Sequence, residues 1–342
     1  MLTRAIVVLL AVAAALAPLP PDVVERWYSR GWYPRWQMVA TPLSNRVPIA
    51  LFDLAVAILL IIGGVVFVRR VRSQGLVRGA IRTLVSAIVT SAVLYLVFLA
   101  AWGLNYRRVP LDQKVAYDSA RVTRERALAF AGTAVSQVNA GYRAAQEVPW
   151  DPAALGRAFA GAESALGASR AAVTGLPKPS LLTVYFRHAA IDGMTDPYFL
   201  EVIVNPDVLP FERPSVLAHE WAHLAGYADE AEANFVSWLA CVRGDPLAQY
   251  SGWLAAYEHA SGALTRDDRR SIPPLDAGPR ADLRAMADRY NRSSPVVRAA
   301  ARDAYDKYLR ANRVPEGIAR YGAVIRLMLG TEFDPAGNPR LR

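Results

Sequence analysis

Residues 219–223 read His-Glu-Trp-Ala-His, which are the residue types and the spacing of a metal site on a helix. Residues four apart on a helix lie one turn apart on the same face, so the imidazoles of His219 and His223 can reach one metal ion. Glu220 lies about 100° around the helix axis, where its carboxylate can accept a proton from water without being a ligand. We therefore expect Zn²⁺ bound by His219 and His223, with Glu220 as the general base.

A third protein ligand is also expected, because catalytic zinc sites use three protein ligands and keep one position open. The nearest carboxylates follow in Asp-Glu-Ala-Glu-Ala-Asn, where Gly226 permits a turn and Asp229 can cap a second helix. Glu230 and Glu232 lie on different faces of that helix. Glu232 is the preferred ligand and Glu230 the alternative, although Glu232 could instead form a capping box with Asp229. Asn234 could orient a ligand through a hydrogen bond.

Other candidates lie beside this motif. Tyr227 could stabilise an oxyanion, and two other tyrosines, Tyr198 and Tyr250, compete for that role. Residues 198–204 predict a strand before the metal helix. If this strand lies at a sheet edge, Val202 and Val204 could face a substrate backbone that adds as a further strand. Packing in the core explains the same two valines equally well.

The elements that must position this site fall into two unlike parts. With 53% hydrophobic and 20% charged residues among 342, the chain is too apolar for a soluble protein and too charged for one embedded throughout. Three apolar runs, at approximately 5–21, 48–68 and 83–102, predict transmembrane helices. The first run could also be a cleaved signal peptide, and we favour an uncleaved span. Residues 1–105 are therefore expected to form a membrane domain in a lipid bilayer.

The orientation follows from the loop between the second and third runs. It carries five arginines and no acid, which predicts a cytoplasmic loop and places everything after Trp102 outside the cytoplasm. The preceding loop, residues 22–47, is rich in tryptophan and tyrosine and suits the headgroup region. Because much of the net charge of +9 serves topology, nucleic acid is not expected as a partner. A single cysteine, Cys241, excludes a disulfide framework.

After a linker at 106–121, residues 122–342 predict a folded domain that is mostly helical with a small sheet. Helices are expected at 123–145 and 153–173 from apolar residues at three- and four-residue spacing. Strands are expected at 181–186 and 198–204, and helices again from Pro214 to near Leu329.

Several segments carry a family resemblance. They are Trp-Gly-Leu-Asn-Tyr-Arg-Arg-Val-Pro-Leu at 102–111, the stretches 219–226 and 230–235, and the closing segment 320–325. Together they resemble a bacterial membrane-anchored family catalogued as domain of unknown function 3810. This resemblance implies a zincin-like zinc peptidase fold for the chain. The Glu-Ala-Asn element is also similar to that of cytoplasmic zinc peptidases in which this glutamate is the third ligand. That similarity implies Glu232 as the ligand.

The sequence thus predicts a multi-pass membrane protein whose extracytoplasmic domain is a zinc metallopeptidase acting on peptides or proteins. A non-catalytic zinc-containing module that binds a peptide or a cell-envelope component is the alternative. An intact Glu220 argues against that alternative, because binding zinc does not require a general base. An intramembrane protease is excluded, because charged residues flank the motif on both sides.

Overall fold

The computed structural model describes residues 2–314 and 322–342 and is mostly helical with one small sheet, as the sequence predicts. Residues 320 and 321 of the closing segment lie outside the described residues. The N-terminal third begins with α1 (Leu2–Leu16) and α2 (Pro21–Val24), followed by a π-helical segment (Glu25–Trp32). Then come α3 (Tyr33–Asn45), α4 (Leu51–Gln74) and α5 (Leu76–Ala101).

Two of these helices, α4 and α5, are long and apolar enough to cross a membrane. They contain 24 and 26 residues, whereas α1 contains 15 and covers only about 22 Å of a hydrocarbon core of about 30 Å. Helix α1 ends before the predicted first span does, because Pro18 disfavours helical backbone at the residue before it. A third span exists only if α1 and the helical segment 21–45, bent by 113°, count as one.

Helices α4 and α5 form a hairpin with a chemically distinct group at each end. The turn at Gly75, with φ of +79°, lies among the five arginines Arg69, Arg70, Arg72, Arg78 and Arg82. At the other end, the backbone N–H groups of Leu51 and Phe52 donate to the Glu201 carboxylate at 3.0 and 2.8 Å. The buried Lys178 forms an ion pair with the same carboxylate at 2.7 Å. The arginine-rich turn and the folded domain therefore lie at opposite ends of the hairpin.

The segment at 22–47 and the expected linker at 106–121 are built into the folded domain. Tyr33, which is 1% exposed, donates from its hydroxyl to the carbonyl of Leu224 at 2.7 Å. Arg108 donates to the carbonyl of Gly226 at 2.8 Å, and Leu111 is buried in the same apolar core. Only part of the aromatic cluster stays on the surface. The membrane-proximal residues are therefore structural parts of the domain and not a tether.

The helices that follow match the predicted pattern, with one shorter than expected. Helix α6 (Arg124–Glu147) begins at Thr123, whose hydroxyl accepts from the N–H of Arg126, and α7 (Pro152–Ala165) follows. The prediction for α7 extended to residue 173. The helix ends earlier because Gly167 adopts φ of +78°, which terminates helical backbone.

The sheet has three short strands in the order β1-β3-β2, namely β1 (Pro177–Lys178), β2 (Gly193–Asp196) and β3 (Glu201–Val204). The central strand β3 runs parallel to β1 and antiparallel to β2. The predicted strand at 181–186 is wrong, since Thr183–Ala189 forms helix α8. Asp53 accepts from the Ser180 hydroxyl at 2.8 Å and from the N–H of Leu181 at 2.7 Å, which starts a helical turn there.

The C-terminal half packs as helices around the metal motif. They are α9 (Arg213–Leu224), α10 (Glu230–Cys241), α11 (Pro246–Ala263), α12 (Arg266–Ser271), α13 (Ala277–Asn291), α14 (Pro295–Ala311) and α15 (Ala323–Gly330). Helices α9, α10 and α11 pack against one another, and α6 and α7 cover them. Cys241 is a fully buried free thiol.

Candidate metal centre

Helix α9 carries His219, Glu220 and His223 in its last two turns. Pro214 stands in the first turn, where its missing N–H costs no helical hydrogen bond. The chain leaves the helix through Gly226, whose φ of +89° suits glycine. The turn returns the chain so that α10 packs beside α9, and Asp229 caps α10 by accepting from the N–H groups of Ala231 and Glu232.

The structure brings together His219, His223 and Glu230 in a group that could hold a metal ion. The two Nε2 atoms are 3.1 Å apart, and the Glu230 carboxylate lies 3.3 Å from Nε2 of His219 and 3.6 Å from Nε2 of His223. One ligand atom from each residue falls within 4.8 Å of the others. Two imidazoles and one carboxylate are the donor set of a catalytic zinc site, so these residues fit the ion.

The third member of this group is Glu230 and not Glu232, the ligand that the sequence favoured. Two residues along a helix turn the side chain by about 200°, so the two carboxylates leave α10 in opposite directions. Glu232 is 8% exposed and accepts from the N–H of Leu111 at 2.6 Å. Burial raises the pKa of Glu232 to about 7, which neighbouring Arg108 partly offsets. Glu232 therefore fastens residues 108–111 to α10 instead of facing the imidazoles.

Hydrogen bonds behind the ligands fix the orientation of both rings. The carbonyl of Tyr227 can only accept, so Nδ1 of His223 donates to it at 2.8 Å. Asn234 donates its amide to the carbonyl of Glu230 at 2.8 Å, which leaves its oxygen 3.1 Å from Nδ1 of His219. Both rings thus direct Nε2 toward Glu230, and Asn234 lies within hydrogen-bond distance of His219, where it could orient that ring.

The charges within the group are strongly coupled. Burial lowers the pKa of His223, but the Glu230 carboxylate outweighs it and raises that pKa to about 9. Burial raises the pKa of Glu230, and the two imidazoles outweigh it, so that this pKa falls well below its usual range. The carboxylate is therefore ionised at neutral pH, as a metal ligand must be.

The Glu220 carboxylate lies against the sheet and outside the ligand group. The Thr195 hydroxyl lies 2.9 Å from Oε2 of Glu220 and 2.9 Å from its carbonyl oxygen. Gly193 leaves the room for this carboxylate, since a Cβ there would come within 2.6 Å of Oε1. Glu220 is 4% exposed, and burial raises its pKa, an effect that the two histidines oppose. A carboxyl group with a raised pKa is a stronger base, which suits proton transfer.

The edge strand beside α9 is β2 and not the strand that contains Val202 and Val204. Strand β3 is hydrogen-bonded on both sides, and Val202 is 0% exposed, so neither valine can receive an added strand. The two valines pack in the sheet, which was the second explanation for them. Among the described residues, the outer edge of β2 at Gly193–Asp196 has no paired strand and lies next to Glu220.

A tyrosine missed by the sequence analysis reaches the ligand group. The Tyr305 hydroxyl of α14 is hydrogen-bonded to Oε1 of Glu230. Tyr227, the expected tyrosine, is 5% exposed and lies under the guanidinium of Arg108, 4.9 Å from the ring centroid. The sequence holds no signal for Tyr305, because it stands 75 residues from Glu230 with no motif around it.

Helix α14 lies across the side of the site that faces the apolar helices. At its start, Ser294 donates from its N–H to the carbonyl of His188 in α8. Near its end, the ring of Tyr308 lies 6.2 Å from that of Phe98 in α5. Beyond it, Arg313 donates to the carbonyl groups of Ala15, in the last turn of α1, and of Ala17, just after that helix. The candidate metal group is therefore enclosed between α14, α9 and the end of α5.

A cavity of about 570 Å³ opens on the other side of α9. His219 and Glu220 line it from α9, while α11 and α13 supply its opposite walls. His219, one member of the ligand group, and the candidate base Glu220 thus border one space large enough for a side chain of a bound peptide.

The comparisons with known proteins establish the family. Residues 28–329 match the family described as protein of unknown function (DUF3810), and the chain belongs to that family. This match covers the metal motif, the sheet, and helices α4 to α14. No curated protein and no solved structure matches the chain.

Proposed function

We propose that this protein is a membrane-anchored zinc metallopeptidase that hydrolyses peptide bonds outside the cytoplasm. The observation that carries the proposal is the convergence of His219, His223 and Glu230, with the Glu220 carboxylate on the same helix and outside that group. Zinc bound by the three residues would polarise a peptide carbonyl and activate a water molecule. A module that only binds zinc has no need of the buried carboxylate.

Glu220 is the group that moves protons in this proposal. Its carboxylate takes a proton from the attacking water and returns it to the leaving amine. Thr195, 2.9 Å from Oε2, holds the carboxylate in place, and Gly193 provides the room for it. The Tyr305 hydroxyl donates its one proton to the Glu230 carboxylate and so orients this candidate ligand.

Substrate binding is proposed at strand β2. An extended peptide that adds to the free edge at Gly193–Asp196 would lie antiparallel or parallel to β2 and next to Glu220. Its backbone hydrogen bonds would supply affinity without regard to side chains. Because the ligand group lies against the end of α5, the peptide would be cleaved close to the bilayer surface.

The test uses the full-length protein in lipid nanodiscs and a broad library of peptides and cell-wall fragments. We expect cleavage that stops after treatment with a zinc chelator and returns with added Zn²⁺. A non-catalytic module would bind library members and cleave none of them. Full zinc occupancy without any cleavage would overturn the enzymatic proposal.

A further inference from the structure

The cavity beside His219 and Glu220 carries an excess of negative charge. Arg289 of α13 donates to Asp192 at 2.6 Å and to Glu212 at 2.7 Å, so its positive charge is shared between two carboxylates. Glu258 of α11 and Glu220 of α9 add two further carboxylates to the lining. Among residues 2–314 and 322–342, no side chain forms a hydrogen bond or an ion pair with the carboxylate of Glu258, which is exposed to the solvent of the cavity. The lining therefore holds more carboxylates than its one arginine can neutralise.

A neutral acceptor lies next to this carboxylate. His259 also lines the cavity and is half-buried, and its ring makes no hydrogen bond to the part of the chain that the structure describes. A neutral imidazole can accept one hydrogen bond from a bound group. Glu258 and His259 together offer acceptors for a group rich in N–H donors.

The remaining walls suit an aliphatic stem. Phe211, Leu254, Leu283 and Met286 contribute apolar surface to the lining. Long cationic side chains bury their methylene groups on such walls while the charged head reaches a carboxylate. The volume of about 570 Å³ accommodates a lysine or an arginine side chain with room for water.

We propose that this cavity is a specificity pocket for a cationic side chain, lysine or arginine, adjacent to the scissile bond, with Glu258 as the residue that selects it. The proposal rests on the proposed function in one respect, namely that the occupant belongs to a peptide substrate. Asp192 and Glu212 contribute to the negative potential, and Arg289 limits it. Glu258 is thus a specificity residue and takes no part in proton transfer.

Binding is measured on a variant that cannot turn over. Full-length Glu220→Gln in nanodiscs is titrated with fluorescein-labelled hexapeptide pools that differ only in one fixed residue, which is lysine, arginine, norleucine or glutamate. We expect lysine and arginine pools to bind at least tenfold more tightly than norleucine pools, and glutamate pools to bind least. Adding Glu258→Gln should reduce the preference at least fivefold, and Glu258→Lys should invert it toward glutamate. Glu147→Gln, at an exposed acid of α6, is the matched control and should change nothing.

The pH gives a second reading. Burial, Glu212 and Asp192 raise the pKa of Glu258 to about 7, and Arg289 partly offsets them. The ratio of lysine-pool to norleucine-pool affinity should therefore grow between pH 6 and pH 8 in the protein that keeps Glu258. It should stay constant in Glu258→Gln, and because both proteins contain His259, that histidine cannot account for the difference. Equal binding of all four pools, or a preference that survives Glu258→Gln unchanged, would overturn the proposal.

Cleavage separates this inference from the proposed function. If wild type cleaves the library without any lysine or arginine beside the cut bonds, the pocket assignment fails and the peptidase stands. If wild type cleaves nothing while the binding preference depends on Glu258, the peptidase fails and the pocket stands. Absence of both cleavage and peptide binding would overturn both.

Discussion

The indole Nε1 of Trp102, the residue that ends α5, donates to the carbonyl of His223 at 2.9 Å. One apolar helix thus ends in direct contact with the last turn of the helix that carries the candidate ligands. The two rings also meet edge to face, with centroids 6.2 Å apart. If α5 crosses a bilayer, the candidate metal centre lies at its surface.

Removing this contact should destabilise the protein specifically. Trp102→Phe removes one of the two donors to the carbonyl of His223, which keeps the N–H of Gly226 at 3.0 Å. The loss should be about 0.5–1.5 kcal/mol, so the midpoint of thermal unfolding in detergent should fall by about 1–2 °C. Trp238→Phe is the matched control, because Nε1 of Trp238 is buried and has no hydrogen-bond partner among the described residues. A larger loss in Trp238→Phe than in Trp102→Phe would contradict the importance of this hydrogen bond.

The identity of the third ligand can be decided by metal content. Glu230→Ala should lose most of its bound zinc, because a ligand is removed directly. Glu232→Ala should keep its zinc and lose stability, since the N–H of Leu111 then has no acceptor. Both variants are assayed by zinc per protein after gel filtration and by thermal unfolding. Loss of zinc in Glu232→Ala alone would restore the ligand assignment made from the sequence.

Much of the site follows from sequence because it is local. The spacing of His219 and His223, the base position and the glycine turn at 226 all lie within one helix and its end. The position of Glu232 away from the imidazoles depends on Leu111, which is 121 residues from Glu232 in sequence, so the choice between Glu230 and Glu232 needed the structure. The similarity to the Glu-Ala-Asn element of other zinc peptidases favoured Glu232, whereas in this chain Glu232 accepts a hydrogen bond from Leu111.

The fold shows the same division between local and distant causes. The apolar lengths of α4 and α5 are properties of continuous segments and were predictable. The segment predicted as a strand at 181–186 lies mostly in α8, and Asp53, more than 100 residues earlier, holds the turn before that helix through Ser180 and Leu181. Periodicity cannot distinguish a short apolar strand from a short helix when such a partner decides.

Stability should fall as the pH rises through neutrality. Burial raises the pKa of Glu163 from its ordinary value of 4.5 to about 7. The N–H of Ala172 and the charge of Arg108 partly oppose this rise. The folded state therefore holds this proton more tightly, and its contribution to the free energy of unfolding, at most about 3 kcal/mol, is complete below pH 4.5 and lost above pH 7.

The substitution Glu163→Gln isolates that contribution. The glutamine oxygen can still accept from the N–H of Ala172, now 2.8 Å from the Glu163 carboxylate, but it cannot ionise. Thermal unfolding from pH 5 to pH 8 should decline less steeply in Glu163→Gln than in wild type, while exposed Glu147→Gln should follow wild type. Identical slopes in all three proteins would show that Glu163 is not protonated in the folded state.

The central claim is tested most directly by turnover of Glu220→Gln at full zinc occupancy. The substitution preserves size and removes basicity, and Glu220 lies outside the ligand group. We predict unchanged zinc stoichiometry, an unchanged midpoint of thermal unfolding within about 2 °C, and kcat/KM lowered by about 10²–10⁴-fold on whichever library peptide wild type cleaves best. Wild-type turnover by a zinc-loaded Glu220→Gln protein would contradict the account.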